Sequence, residues 1–177
     1  MSDNAANPSF AVSVVMERIA IESRWQSHKW QPAAILPDDG MRVLPEVMST
    51  SSGATEVLFP GFALQVFRDE AEGYYLNVSS PDPQVFVMWR IAENSVEDAP
   101  ADAPDRAVPH SVTLSYNEAA RWMDAQEKVD PVAMPPQILD ALSEWVKLNY
   151  SPPDKKQRIR PTSFESKEGR YKSGMSS

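Results

Sequence analysis

The stretch Glu72-Gly73-Tyr74-Tyr75-Leu76-Asn77-Val78-Ser79-Ser80-Pro81-Asp82-Pro83-Gln84-Val85-Phe86-Val87-Met88-Trp89-Arg90 decides the fold class. It reads as two strands joined by a Ser80-Pro81-Asp82-Pro83 turn. In the first, Tyr74, Leu76 and Val78 recur every second residue and define an inner face. In the second, Val85, Val87, Trp89 and Ile91 face one way and Phe86 and Met88 the other. A strand apolar on both sides belongs in the middle of a sheet.

Working outward, Phe10, Val12, Val14 and Met16 alternate along another strand, preceded by a disordered lead over residues 1–9. Glu22-Ser23-Arg24 turns. His28 to Leu36 is extended again, with Trp30 and Leu36 inward, and Pro32 marks an edge strand or a bulge. Asp38-Asp39-Gly40 is a turn, and Ser49 to Gly53 a loop by composition. Glu56 to Phe59 forms a short strand broken at Pro60-Gly61. Phe62, Leu64 and Val66 start a further strand, and Asp69 to Gly73 make a polar hairpin loop. Consecutive strands with short loops favour an antiparallel meander over βαβ units.

Beyond the central strand, residues 93–109 are acidic and rich in Ala and Pro, as a mobile surface loop would be. Val112 to Leu114 add a short strand. Ser115-Tyr116-Asn117-Glu118 then matches a capping box and starts a helix to about Gln126, with Ala119, Ala120 and Met123 inward. Asp130 to Pro135 connect to a second helix at Pro136. There Ile138, Leu139, Leu142, Trp145 and Val146 form one apolar stripe, stopped by Ser151-Pro152-Pro153. The expected fold class is α+β: an antiparallel sheet, open or curled toward a barrel or sandwich, packed with two C-terminal helices. It comprises a single domain over residues 10–150 and a basic disordered tail over 151–177.

Composition narrows the function. The chain has 177 residues, 42% of them hydrophobic, enough for one self-sufficient core. It has no cysteine, which removes disulfides, thiolate metal sites and cysteine nucleophiles. No signal-like or membrane-spanning run is evident, so a cytoplasmic location is expected. The net charge is −8, yet from Asp154 onward seven cations meet three acids, so the tail carries +4 and the remainder −12. An acidic body repels phosphate backbones, which argues against nucleic acid as its partner.

Chemical motifs are sparse. The six glycines form no GxGxxG or phosphate loop, and no GxSxG elbow occurs. His28 and His110 are far apart and lack metal-ligand spacing. Asp38-Asp39, Glu70 with Glu72, and Glu97-Asp98 read as solvated turn and loop charges. No catalytic, cofactor or metal residue is therefore assigned. Trp25, His28 and Trp30 form the densest aromatic cluster, either a recognition patch or core padding in which His28 and Trp30 share a strand face. Arg90 reads as the solvated end of its strand. The tail run Lys155-Lys156-Gln157-Arg158-Ile159-Arg160-Pro161 could dock on an acidic protein or on RNA, and Phe164 and Tyr171 are suited to anchor it. Its alternative is a solubilising tail.

A set of short pieces carries a resemblance: Val15-Met16-Glu17-Arg18, Arg24-Trp25, His28-Lys29-Trp30-Gln31-Pro32, Ile35-Leu36-Pro37, Gly61-Phe62-Ala63-Leu64, Glu72 to Asn77, Val85 to Arg90, Ser115 to Ala119 and Val132-Ala133-Met134-Pro135. In these the chain resembles a bacterial domain-of-unknown-function family, number 3305, from about Val12 to Tyr150. The resemblance implies genes commonly encoded near formate dehydrogenase and the factors that mature this molybdenum enzyme. It supplies no catalytic residues. The expectation is a non-catalytic accessory protein that binds a formate dehydrogenase subunit or maturation factor. Trp25, His28, Trp30, Lys155, Lys156, Arg158 and Arg160 would make the contact. Two other functions compete: a small-ligand or cofactor carrier with a pocket lined by Tyr74, Met88 and Trp89, and an enzyme using carboxylates and Arg90.

Overall fold

The computed structural model describes residues 7–92 and 106–154. Lys155, Lys156, Arg158, Arg160, Glu97 and Asp98 lie outside them, as does most of the expected acidic loop. The described elements are β1 (Ser9–Ala20), β2 (His28–Pro37), β3 (Glu46–Thr50), β4 (Ala54–Gln65), α1 (Ala71–Val78), β5 (Gln84–Ala92), β6 (Arg106–Thr113), α2 (Tyr116–Asp124), β7 (Val129–Ala133) and α3 (Pro136–Asn149). The strands form two antiparallel sheets, ordered β2-β1-β4-β3 and β6-β5-β7. The fold is α+β, as expected, and neither sheet closes into a barrel.

β5 is indeed the centre of its sheet. Val85, Val87 and Trp89 join Val12, Val14 and Met16 of β1 in one core, which α3 completes with Leu142 and Trp145. On the other face Phe86 is buried, its ring edge-on to Tyr116 of α2 with centroids 6.1 Å apart. Each fully buried large apolar side chain contributes about 1.5–3 kcal/mol. Shifting β5 by one residue would forfeit several of these, comparable to the roughly 5–15 kcal/mol that holds a domain folded.

The first half of the deciding stretch is not a strand. Ala71–Val78 is helix α1, entered through a 3-10 turn at Arg68–Glu70 where a hairpin loop was expected. Tyr74 and Asn77, three apart, point inward, while Leu76 is 43% exposed. Both periods fit so short an apolar run, and the polar residue decides between them. Asn77 Nδ2 donates to the carbonyls of Gln84 (2.7 Å) and Leu114 (2.8 Å), and its Oδ1 accepts from Gln84 N–H (2.9 Å). One buried amide thus ties α1 to β5 and to the end of β6. Ser80 to Pro83 join a helix to a strand.

Other boundaries also move. Ser9 already belongs to β1, and the Pro8 carbonyl accepts from Val66 N–H at 3.1 Å. β2 is both an edge strand and bulged. Val15 pairs with Ala34 and Met16 with Pro32, so Ala33 is the extra residue. The bulge reverses the alternation: Trp30 and Pro32 are buried, then Ile35 rather than Leu36. β4 runs unbroken through Pro60-Gly61, because these residues form a bulge opposite Ser13, with Gly61 at φ +89°. β3 forms a hairpin with β4 and takes in Ser49 and Thr50 from the stretch expected to be loop. β6 begins at Arg106, inside the expected loop, and the expected connector holds β7, an edge strand that tolerates Pro131. The connections are not a simple meander, since β7 returns to the far side of β5 by way of α2.

The Ser115 cap forms as read: its Oγ accepts from Glu118 N–H at 3.1 Å. The return half is relayed. Glu118 accepts from Thr113 Oγ1 (2.5 Å), which itself accepts from Ser115 N–H (3.0 Å). Ser115 Oγ also donates to Glu70 at 2.5 Å, and Arg121 pairs with the other oxygen of that carboxylate. Glu70 is therefore a structural tie and not a solvated loop charge. Within α2, Ala119 is buried but Met123 is half exposed.

Candidate functional site

A cleft of about 370 Å³ opens where one end of the first sheet meets β5 and β7. Its position follows from strand pairing. Arg18 on β1 lies opposite Trp30 on β2, Ile19 opposite Lys29, and Ala20 opposite His28. The β1–β2 connection adds Trp25, β5 adds Trp89, and Lys128 comes from the residue before β7.

The aromatic side chains have divided roles. Trp30 and Trp89 are buried and belong to the core, whereas Trp25 is 92% exposed. Trp89 Nε1 donates to Asp130 at 2.7 Å, and Lys128 Nζ stands 3.8 Å above the Trp89 ring, a cation–π contact. His28 is exposed, so it does not pad the core despite its phase with Trp30. Its Nδ1 faces Arg18 Nη2 at 3.0 Å and Ser27 Oγ at 2.8 Å. Arginine can only donate. Nδ1 is thus the acceptor in the contact with Arg18.

Arg18, Lys29 and Lys128 bring three cations to the cleft, and among the described residues no Asp or Glu lines it. Such a surface can hold carboxylates or phosphates by charge-assisted hydrogen bonds, with Trp25 offering an indole face at the rim.

The expected cluster Trp25, His28 and Trp30 is therefore brought together. Arg18 and Lys128 were missed, since no local pattern joins them to it. Neither the cleft nor the groove beside α3 brings Tyr74, Met88 and Trp89 together. Tyr74 is buried, accepting from Phe67 N–H at 3.1 Å, with its ring edge-on to Trp145 at 5.8 Å. Met88 lies on the opposite face of β5 from Trp89. Arg90 is exposed and forms a two-point ion pair with Glu127, Nε to Oε2 being 3.0 Å. The hydrogen bond from Arg90 holds the Glu127 carboxyl below the usual range, opposed by desolvation and assisted by the charges of Arg90 and His110. A second groove of about 340 Å³, largely apolar, runs between β1–β2 and the start of α3, past Phe10, Val12, Ile35 and Ile138. Among the described residues, no group of three or more His, Cys, Asp or Glu could hold a metal ion, and no helix is long and apolar enough to cross a membrane.

Fold and cleft together define a small two-sheet α+β domain with a cationic, tryptophan-rimmed surface cleft. A family model described as "Protein of unknown function (DUF3305)" matches residues 11–160. The chain belongs to that family. No curated protein and no solved structure matches it.

Proposed function

We propose that the protein is a non-catalytic, cytoplasmic accessory factor that docks on a formate dehydrogenase subunit or on a factor maturing such molybdoenzymes. The observation that carries the docking role is Trp25, 92% exposed at the rim of a cleft that Arg18, Lys29 and Lys128 line with no Asp or Glu among its described lining residues. An indole in that position adds nothing to the core, and Trp is the side chain most enriched among interface anchors. The resemblance to family 3305 supplies the link to formate dehydrogenase. The basic tail, with Lys155, Lys156, Arg158 and Arg160, would extend the contact. Affinity purification from the native host, with and without residues 154–177, tests this reading. Enrichment of formate dehydrogenase or its maturation proteins supports it, and enrichment of neither defeats it.

One observation favours a second reading, that of a small-ligand carrier. The apolar groove beside α3 has a volume at the small end of ligand pockets, which run from about 300 to 1,000 Å³. Native mass spectrometry of freshly purified protein would show retained mass if it is filled.

A further inference from the structure

Among the described residues, Arg42 is ion-paired with Glu46, Arg90 with Glu127 and Arg121 with Glu70. With 25 acids against 17 cations in the chain, carboxylates are in ample supply. Yet in the cleft Arg18 contacts His28 Nδ1 and Lys128 an indole face, with Lys29 beside them. The Asp130 carboxylate is engaged by Trp89 Nε1 and does not line the cleft, so an added anion would relieve the mutual repulsion of the three cations. The site is half open, polar in its lining and flanked by an exposed indole, unlike the enclosed apolar pockets that hold small molecules. Nucleic acid is disfavoured by the strongly acidic remainder of the chain.

We infer that this cleft binds an extended acidic segment of a partner protein, its carboxylates meeting Arg18, Lys29 and Lys128 and an aromatic side chain stacking on Trp25. This rests on the docking reading above and names the chemistry of the partner, not its identity. It makes binding salt-sensitive, because attraction between exposed charges weakens with salt and is largely screened beyond about 10 Å at about 0.1 M.

The test titrates the full-length protein with a short peptide of alternating glutamate and phenylalanine, and with its glutamine counterpart. The readout is the set of indole N–H resonances. The acidic peptide should shift the Trp25 resonance and leave Trp145 unmoved. The double variant Arg18→Gln, Lys128→Gln should bind about tenfold more weakly, as expected for two exposed charge pairs. An unmoved Trp145 resonance in that variant verifies folding, and Trp25→Ala provides an independent weakened variant. Neutralising Lys155, Lys156, Arg158 and Arg160 should leave the Trp25 shift intact. Equal binding of the glutamine peptide would overturn the inference. So would undiminished binding by both cleft variants, loss on neutralising the tail alone, or no binding at all. Inorganic phosphate displacing the peptide and binding as tightly would make this a small-anion site and overturn it too. Because no formate dehydrogenase is used, an empty pull-down alongside peptide binding would sink only that partner.

Discussion

Replacing Gly73 with alanine should destabilise the protein, although alanine is the better helix former. A Cβ built at Gly73 would lie 2.1 Å from Ser115 Oγ, too close for any real contact. The hydroxyl must then move, and it has two duties: it caps α2 through Glu118 N–H and donates to Glu70. Losing the cap costs about 1 kcal/mol. Losing a hydrogen bond to a carboxylate costs about 1.5–3 kcal/mol. The gain from Gly to Ala in a helix returns about 0.5–1 kcal/mol. The net loss is about 1.5–3.5 kcal/mol, or a Tm fall of roughly 3–14 °C for a chain this size. Ser115→Ala removes the same two bonds directly. Adding Gly73→Ala to it should therefore cost less than about 1 kcal/mol, leaving a coupling of about 2 kcal/mol in a double-mutant cycle. Urea unfolding followed by circular dichroism measures all four corners. A neutral Gly73→Ala protein, or additive costs, would refute the reasoning.

Three further outcomes are expected. Burial, set against the hydrogen bond from Phe67 N–H, pushes the Tyr74 hydroxyl from 10.0 up to about 12. A raised folded value means this contribution is whole below pH 10 and fades between 10 and 12, so Tyr74→Phe should flatten alkaline unfolding across that window. An identical alkaline limb in the variant would contradict this. Backbone N–H groups of Gly40 and Gly61 hold the Asp38 carboxyl below 3.8. A lowered folded value means stability present above that pH and lost as pH falls further, so acid unfolding of Asp38→Asn should have a shallower dependence below pH 3.8. An unchanged acid limb would remove Asp38 as its source. Trp25→Ala should alter stability by no more than about 0.5 kcal/mol, as for a solvated side chain, while abolishing partner capture. A large fall in Tm would place Trp25 in the fold instead.

Legibility in the sequence followed the range of the interactions. β5 was plain because both its faces are covered, and α3 because its stripe extends over Ile138, Leu142, Trp145 and Val146. The α2 cap was plain because Ser115 and Glu118 are three residues apart. α1 was not, since eight residues satisfy two periods and Asn77's partners lie on β5 and at Leu114. β4 looked broken because the turn signal Pro60-Gly61 can also be a bulge. The bond from Gly61 N–H to Asp38 Oδ2, at 2.7 Å, shows the bulge tied to a distant turn. In the cleft, Trp25, His28 and Trp30 were legible as neighbours along the chain. Arg18 reaches them across a strand pair, and Lys128 only through the approach of β7 to the first sheet.

Placing a photo-crosslinking benzoylphenylalanine at position 25 of the full-length protein, in its native host, puts the central claim to the most direct test. Docking through the cleft requires adducts with a formate dehydrogenase subunit or a maturation factor, and none from the same probe at exposed Leu148. Equal labelling from both positions, or no adduct from position 25, would contradict it.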